Sequence, residues 1–213
     1  MSSTIVNLYL GGLTFNKIKV DETVSNKSVT LLSWFALFIY MLLEAIFSVI
    51  AGKPAGHSAF ARYTNLSGFW LFFAVIVSSL IATVVFAAIL LGLFKLFELT
   101  CVLIRRLFKT EKESKEEVKK ISLTFNGFIR VVAVGVVWKY ISAIGVLFSG
   151  TPKTIITGLG YFISLFCIGF ASKRYSKKSV FVVIIIMILA FFISFALGVV
   201  WSDILEKLLG LTK

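Results

Sequence analysis

Long apolar stretches alternate along the chain with short polar or charged segments. A stretch of roughly 20 apolar residues has the length that crosses the hydrocarbon core of a bilayer as a helix. The stretches of this kind are predicted as spans at 29–51, 68–94, 121–148, 154–171 and 179–201. The pattern therefore predicts an all-α fold, a polytopic helical membrane bundle of about five transmembrane helices.

The second apolar stretch is much longer than one crossing. It runs from Gly68 to about Ile104, and a straight helix of that length exceeds the hydrocarbon thickness by roughly 25 Å. Two crossings would need a turn, yet no proline or polar pair interrupts the segment before Lys95. We interpret it as one span to about Phe94, followed by an amphipathic extension at the level of the headgroups.

The two ends of the chain are short and more polar. Residues 1–28 include NLYLGGLTFNKIKV, whose apolar positions predict a cytoplasmic or interfacial element. An ordered tail without a special role is an equally good interpretation. No charged segment leads directly into an apolar core there, so we expect no cleaved signal peptide. Residues 202–213 form the predicted external tail.

Composition supports the membrane class. Hydrophobic residues make up 59% of the chain and charged residues only 15%, which leaves too little polarity for the surface of a soluble domain. Most of the net charge of +12 lies in loops, where basic residues set topology and contact anionic lipid. We therefore expect membrane lipids and other membrane proteins as partners, and no nucleic acid. The excess of lysine over arginine is typical of thermophile proteins.

The basic residues also predict an orientation. With five spans, fourteen basic residues fall on the side of the N-terminus and five on the opposite side. Because cytoplasmic loops carry the excess of lysine and arginine, the N-terminus is predicted to be cytoplasmic and the C-terminus external. The expected location is a cell membrane, a prokaryotic plasma membrane, in which the protein is multi-pass.

Three ionisable residues within the apolar stretches are the candidates for function. Counted from the cytoplasmic ends, Glu44 lies roughly 23 Å deep and Lys139 roughly 27 Å deep, so the two can pair. Arg130 is shallower, at roughly 14 Å. A polar site or ion relay is one interpretation. A structural ion pair that fixes helix register is favoured, because a relay usually needs more acidic or histidine groups.

Residue patterns typical of catalysis or metal binding are missing from the sequence. His57 is the single histidine, and neither cysteine is near it, whereas a metal site needs three or four ligands. Glu113, Glu116 and Glu117 are interleaved with lysines, which favours a solvated face. HExxH, GxSxG and glycine-rich phosphate loops are absent. We expect no enzyme, no cofactor and no metal.

Small residues recur every four positions on two predicted spans, a spacing that lets helix backbones approach closely in lipid. The positions are Ala74, Ser78 and Ala82 on the second span and Ala190, Ser194 and Gly198 on the fifth. Packing within one chain is slightly favoured over packing between subunits. On the predicted external loop, Asn65 begins an Asn-Leu-Ser sequon and is a candidate for glycosylation.

Two segments are distinctive within the five-span layout. They are the lead-in NLYLGGLTFNKIKVDE and the segment SLTFNGFIRVVAVGVVWKYISAIG at the third span. Both segments and the layout resemble those of the Yip-domain family of five-span membrane proteins. The family's third span typically carries a proline, where this chain has Trp138 and Lys139. The resemblance implies a non-enzymatic scaffold that binds other membrane proteins or small GTPases, and it transfers no site residue.

The leading hypothesis is a non-catalytic integral membrane scaffold or accessory subunit that binds other membrane proteins. The alternative is a small transporter or channel that uses intramembrane Glu44, Arg130 and Lys139. The lack of an internal repeat counts against the alternative, because transporter folds usually contain duplicated halves. A membrane enzyme acting on lipid, with Glu98 as an acidic group, has the least support.

Overall fold

The computed structural model describes residues 2–52, 68–108 and 123–208. They form α1 (Ser2–Thr14), α2 (Lys17–Ser25), a 3₁₀ turn (Lys27–Val29), α3 (Thr30–Ala51), α4 (Gly68–Phe108), α5 (Phe125–Val134), α6 (Val136–Gly145), α7 (Gly150–Ser176) and α8 (Val180–Leu208). No strand occurs within these ranges, and the predicted all-α class is confirmed.

Four helices are long and apolar enough to cross a membrane. They are α3 with the turn before it, α4, α7 and α8. The pair α5 and α6 meets the same criterion only when it is taken together, across a bend of 52°. The described residues therefore contain four candidate spans, or five if the bent pair is counted as one.

The bend lies at Gly135, between α5 and α6. The N–H of Gly135 bonds to the carbonyl of Val132, three residues back, in place of the regular α-helical bond. A Cβ added at Gly135 would lie 2.8 Å from the Ser164 carbonyl oxygen of α7. Glycine thus lets α7 approach the backbone at the break. The predicted third span is consequently not one straight helix in the structure.

Helix α4 is unbroken over 41 residues, as the lack of a turn signal in the second apolar stretch indicated. At 1.5 Å per residue it is about 61 Å long, roughly twice the hydrocarbon thickness of a bilayer. In the C-terminal part of α4, Glu98 forms an ion pair with Lys178 at 3.1 Å. In the N-terminal part of α4, Ser78 Oγ accepts a hydrogen bond from the indole of Trp201 at 3.1 Å.

These contacts define two ends of the bundle. The lower end is where α3 begins, α4 and α7 end, and α8 begins, and it contains the Glu98–Lys178 ion pair. The upper end is where α3 ends, α4 and α7 begin, and α8 ends, and it contains the Trp201–Ser78 hydrogen bond. Neighbouring long helices in this arrangement run antiparallel.

Helices α1 and α2 form a hairpin that packs into the lower half of the bundle. Leu8, Val20 and Val24 have no exposed surface. Asn16 caps the first turn of α2, where its side chain accepts hydrogen bonds from two backbone N–H groups. The segment predicted as interfacial therefore contributes three fully buried side chains to the hydrophobic core.

Contacts with α7 hold the hairpin in place. The ring of Phe15 meets the rings of Phe166 and Phe170 edge-on, with centroids 5.7 and 6.2 Å apart. Asp21 of α2 forms a two-pronged ion pair with Arg174, in which Arg174 Nε lies 2.6 Å from Asp21 Oδ1. The hairpin thus joins the lower end by both apolar and charged contacts.

Candidate functional site: a polar cavity between the long helices

A cavity of about 340 Å³ lies between α3, α4, α6, α7 and α8. Its polar lining residues include Tyr40, Glu44, Ser79, Thr83, Lys139 and Tyr161. Glu44 lies about 21 Å along α3 from Thr30, given the rise of an α-helix. The cavity is therefore near the middle of the apolar length of the bundle.

Glu44 belongs to the buried wall of the cavity, with 6% of its surface exposed. The hydroxyl of Ser79 on α4 donates a hydrogen bond to Glu44 Oε2 at 2.7 Å. Tyr40 lies one turn earlier on the same face of α3 and its phenol interacts with the same carboxylate. The carboxylate is thus held by groups from two helices while it faces the cavity.

Lys139 reaches the cavity from α6. Its ammonium lies 5.3 Å from the centre of the Tyr40 ring, in a cation–π arrangement. The next residue, Tyr140, donates a hydrogen bond to the Ala36 carbonyl at 2.8 Å and ties α6 to α3. Lys139 and Glu44 line one cavity and interact electrostatically. Two of the three charged residues singled out from the sequence are therefore brought together.

Arg130 lies elsewhere. It is 3% exposed and points to the lower end of the bundle, where its Nε donates to the Val24 carbonyl at 3.0 Å. Its Nη1 donates to Thr30 Oγ1 at 2.7 Å. A cation at the C-terminal carbonyls of α2 is favourably placed in the helix dipole. Arg130 therefore joins α2 and α3 to α5, and it does not line the cavity.

The predicted small-residue stripes have two different surroundings. Ala74, Ser78 and Ala190 are buried, and Ser78 is the acceptor of the Trp201 hydrogen bond. Ala82, Ser194 and Gly198 instead line the cavity. On these two helices small side chains allow contact at some positions and leave empty volume at others.

The packing around α7 and α8 differs between their lower and upper halves. In the lower half, a Cβ added at Gly169 of α7 would meet Met187 of α8 at 3.7 Å. In the upper half, a Cβ added at Gly158 or at Gly198 would meet no described residue within 4 Å. We infer that the two helices separate in the upper half beside the cavity, and we call the space between them the α7–α8 gap.

Aromatic side chains stand at the α7–α8 gap. Phe191 and Phe195 of α8 line the cavity and are 37% and 51% exposed. The charged wall at Glu44 is almost fully buried by comparison. The site therefore has a polar, charged interior and an apolar, aromatic entrance.

The other candidates from the sequence lie mostly outside the described residues. Among the residues that the structure describes, no group of three or more His, Cys, Asp or Glu side chains could hold a metal ion. His57, Asn65, Glu113, Glu116 and Glu117 lie outside the described residues. Cys167 is buried, and its thiol donates to the Gly12 carbonyl at 3.3 Å.

Comparison with family models, curated proteins and solved structures gave no match. The resemblance to the Yip-domain family therefore stays a prediction.

The residues that complete the cavity were missed from the sequence. Tyr40 stands four residues before Glu44, and Ser79 and Thr83 are four residues apart on α4, so each pair shares a helix face. Those spacings were a usable signal for polar positions inside spans. Tyr161 carries no such signal, because its place at the cavity depends on how α7 packs. Ser194 was predicted as a helix-packing residue, and its place at the cavity was not.

Proposed function

We propose that this protein is a non-catalytic integral membrane protein that binds a small polar ligand between Glu44 and Lys139. In this proposal five segments cross the membrane, the α5–α6 pair being one of them. The N-terminus is cytoplasmic, the C-terminus is external, and the membrane is a prokaryotic plasma membrane. The carrying observation is a pair of opposite charges beside about 340 Å³ of space in the middle of apolar helices.

The outside of the bundle supports the membrane part of the proposal. Large apolar side chains are widely exposed, among them Leu31, Phe69, Phe162, Phe181 and Phe192 at 63% or more. In water, an apolar surface of that extent would promote aggregation. In a bilayer the same surface would face hydrocarbon chains, and the fourteen-to-five asymmetry of basic residues supports the proposed orientation.

Binding explains the cavity better than a purely structural ion pair does. A charge pair that only fixes helix register gains most when the surrounding side chains fill the space around it. Here the space next to the charges holds on the order of eleven groups of water size, at ~30 Å³ each. Ser194 Oγ is buried in the same region and has no hydrogen-bond partner among the described residues. A bound polar ligand would supply partners for these groups.

Native mass spectrometry of protein extracted gently from its native membrane tests the proposal. We expect wild-type protein to retain a bound small molecule, and the double variant Glu44→Gln/Lys139→Met to lose it. Lys95→Met is the matched control, because Lys95 is an exposed cation on α4 outside the cavity. Equal occupancy in wild type and in the double variant would overturn the proposal.

A scaffold or accessory subunit is the second candidate, and α8 is the observation that favours it. Only 17% of the most apolar 18-residue stretch of α8 is buried inside the protein, against 39% for the corresponding stretch of the span that contains α3. So much uncovered helix surface is available to another membrane protein, the kind of partner that the Yip-like resemblance implies. A stable heteromeric complex that survives mild solubilisation and is lost on Phe192→Lys would support this candidate, and an isolated chain would contradict it.

A further inference from the structure

We propose that the ligand is an amphiphile that enters sideways from the bilayer, with a zwitterionic headgroup between Glu44 and Lys139 and its hydrocarbon chain in the α7–α8 gap. This inference rests on the proposed binding function and adds the class of ligand and its route. It commits to a lipid in preference to a water-soluble zwitterion.

The two charges point to the headgroup. Glu44 and Lys139 carry opposite charges and line the same cavity, so the site as a whole is close to neutral. A headgroup with one ammonium and one phosphate keeps that balance, since the carboxylate accepts from the ammonium and the Lys139 ammonium donates to the phosphate. A ligand with a net charge would leave one buried charge uncompensated, which is costly inside a membrane.

The cavity can hold the headgroup of a lipid but is too small for its hydrocarbon chains. Its volume of about 340 Å³ corresponds to on the order of eleven groups of water size. That is enough for a polar headgroup and not for the hydrocarbon chains of a lipid as well. The chains must therefore lie outside the polar interior.

The α7–α8 gap provides a place for them. Phe191 and Phe195 face it with 37% and 51% of their surfaces exposed, and Leu165 lines the cavity from α7. Gly158 and Gly198 have open space where a side chain would stand. Because the gap lies along the apolar length of both helices, it opens onto hydrocarbon.

At the upper end, α8 is fastened to α4. Trp201, one turn after Gly198, donates its indole hydrogen to Ser78 Oγ at 3.1 Å. The close contact of Gly145 with Thr157, where an added Cβ would lie 2.8 Å from Thr157 Cγ2, holds α6 against α7. With these seams closed, the α7–α8 gap is the open seam that the described residues leave in the cavity wall, and entry from the side follows.

Photo-crosslinking in nanodiscs tests the inference. The probes are two phosphatidylethanolamines, one with a diazirine in the headgroup and one with a diazirine near the end of a chain. In wild-type protein we expect the headgroup probe to label the cavity wall around Glu44 and Lys139. We expect the chain probe to label α7 and α8 around Leu165 and Phe195. Labelling of the reverse pattern, or only of the outer faces, would overturn the inference.

A variant in the α7–α8 gap tests the lateral entry route while the charges of Glu44 and Lys139 stay in place. Gly198→Phe places a bulky ring where the cavity meets the α7–α8 gap without removing a charge, and it should lower cavity labelling by about tenfold or more, which corresponds to about 1.4 kcal/mol of binding free energy. Gly92→Phe is the matched control, since a Cβ at Gly92 also meets nothing within 4 Å and Gly92 does not line the cavity. Unchanged labelling in Gly198→Phe, with melting like that of Gly92→Phe, would contradict the lateral route.

Competition with glycerophosphoethanolamine, the headgroup without chains, distinguishes binding of a lipid from binding of a water-soluble ligand. If it displaces the headgroup probe as well as the full lipid does, the ligand is water-soluble; the amphiphile inference then fails while the binding function stands. If Glu44→Gln/Lys139→Met leaves cavity labelling unchanged, the binding function fails and the inference fails with it. Displacement by the full lipid alone supports both.

Discussion

The lower and upper halves of the bundle are built from the same long apolar helices, yet they are packed in different ways. In the lower half the ring of Phe128 contacts those of Phe94 and Tyr175, with centroid distances of 5.4 and 5.3 Å. The α1–α2 hairpin fills the remaining space there. In the upper half small residues leave a cavity and α7 and α8 separate. Hydropathy alone therefore does not decide where such a bundle is closed; side-chain size and one added hairpin do.

Among the substitutions that test this contrast, replacement of Arg130 in the lower half should cause the largest loss of stability. In Arg130→Met the Val24 carbonyl and the Thr30 hydroxyl lose a charged donor. We expect a loss of about 3–6 kcal/mol in the free energy of unfolding, because two hydrogen bonds from a charged donor are lost at about 1.5–3 kcal/mol each. Thermal melting in detergent should show the midpoint falling by on the order of 10 °C.

The contrasting variant removes both charges of the cavity. Glu44→Gln/Lys139→Met should change the free energy of unfolding by less than about 1 kcal/mol, since replacing both partners of a buried pair is often neutral. If the double variant melts as low as Arg130→Met, the cavity charges are structural and the two halves do not differ in the way described.

Glycines give the second test. An added Cβ at Gly12 of α1 would overlap the Val134 carbonyl oxygen, so Gly12→Val should detach α1 and cost about 1–3 kcal/mol. Hydrogen exchange should show loss of protection in α1 and α2, with α7 and α8 unchanged. In the upper half Gly158 has open space, and Gly158→Ala should instead stabilise by about 0.5–1 kcal/mol. Equal destabilisation by both substitutions would contradict the contrast.

The third test concerns the hydrogen bond that joins α8 to α4. Ser78→Ala and Trp201→Phe each remove one partner of the same hydrogen bond. A double-mutant cycle should give a coupling free energy of about 0.5–1.5 kcal/mol, the usual net value of such a bond. Urea-dependent unfolding of the four proteins measures it. Additive single effects would mean that Trp201 is held by packing alone.

Much of the fold was predictable from periodicity and length. The unbroken α4 followed from the absence of a turn signal, and the meeting of Glu44 and Lys139 agrees with their similar calculated depths. The bend at Gly135 was not predictable, because the segment around it is apolar throughout and contains no proline. Its cause is the approach of α7, which is a contact distant in sequence.

The role of Arg130 was hidden for the same physical reason. Its depth in the third apolar stretch was known, but its hydrogen-bond partner, the Val24 carbonyl, belongs to a hairpin that the sequence placed at the interface. Backbone carbonyls carry no sequence signal as acceptors. The cavity was likewise out of reach, since Ala82, Ser194 and Gly198 read as contact residues and their open surroundings depend on the splay of two helices.

The length of α4 has a consequence for the membrane around it. Residues 99–108 of α4 follow the Glu98–Lys178 ion pair and extend about 15 Å beyond it. In the proposed membrane protein the hydrocarbon ends near that pair, because an ion pair is costly inside hydrocarbon. Tilt of α4 brings the extra residues to the level of the headgroups. The proposed membrane protein is thus expected to cover headgroups at its lower end on the side where α4 lies.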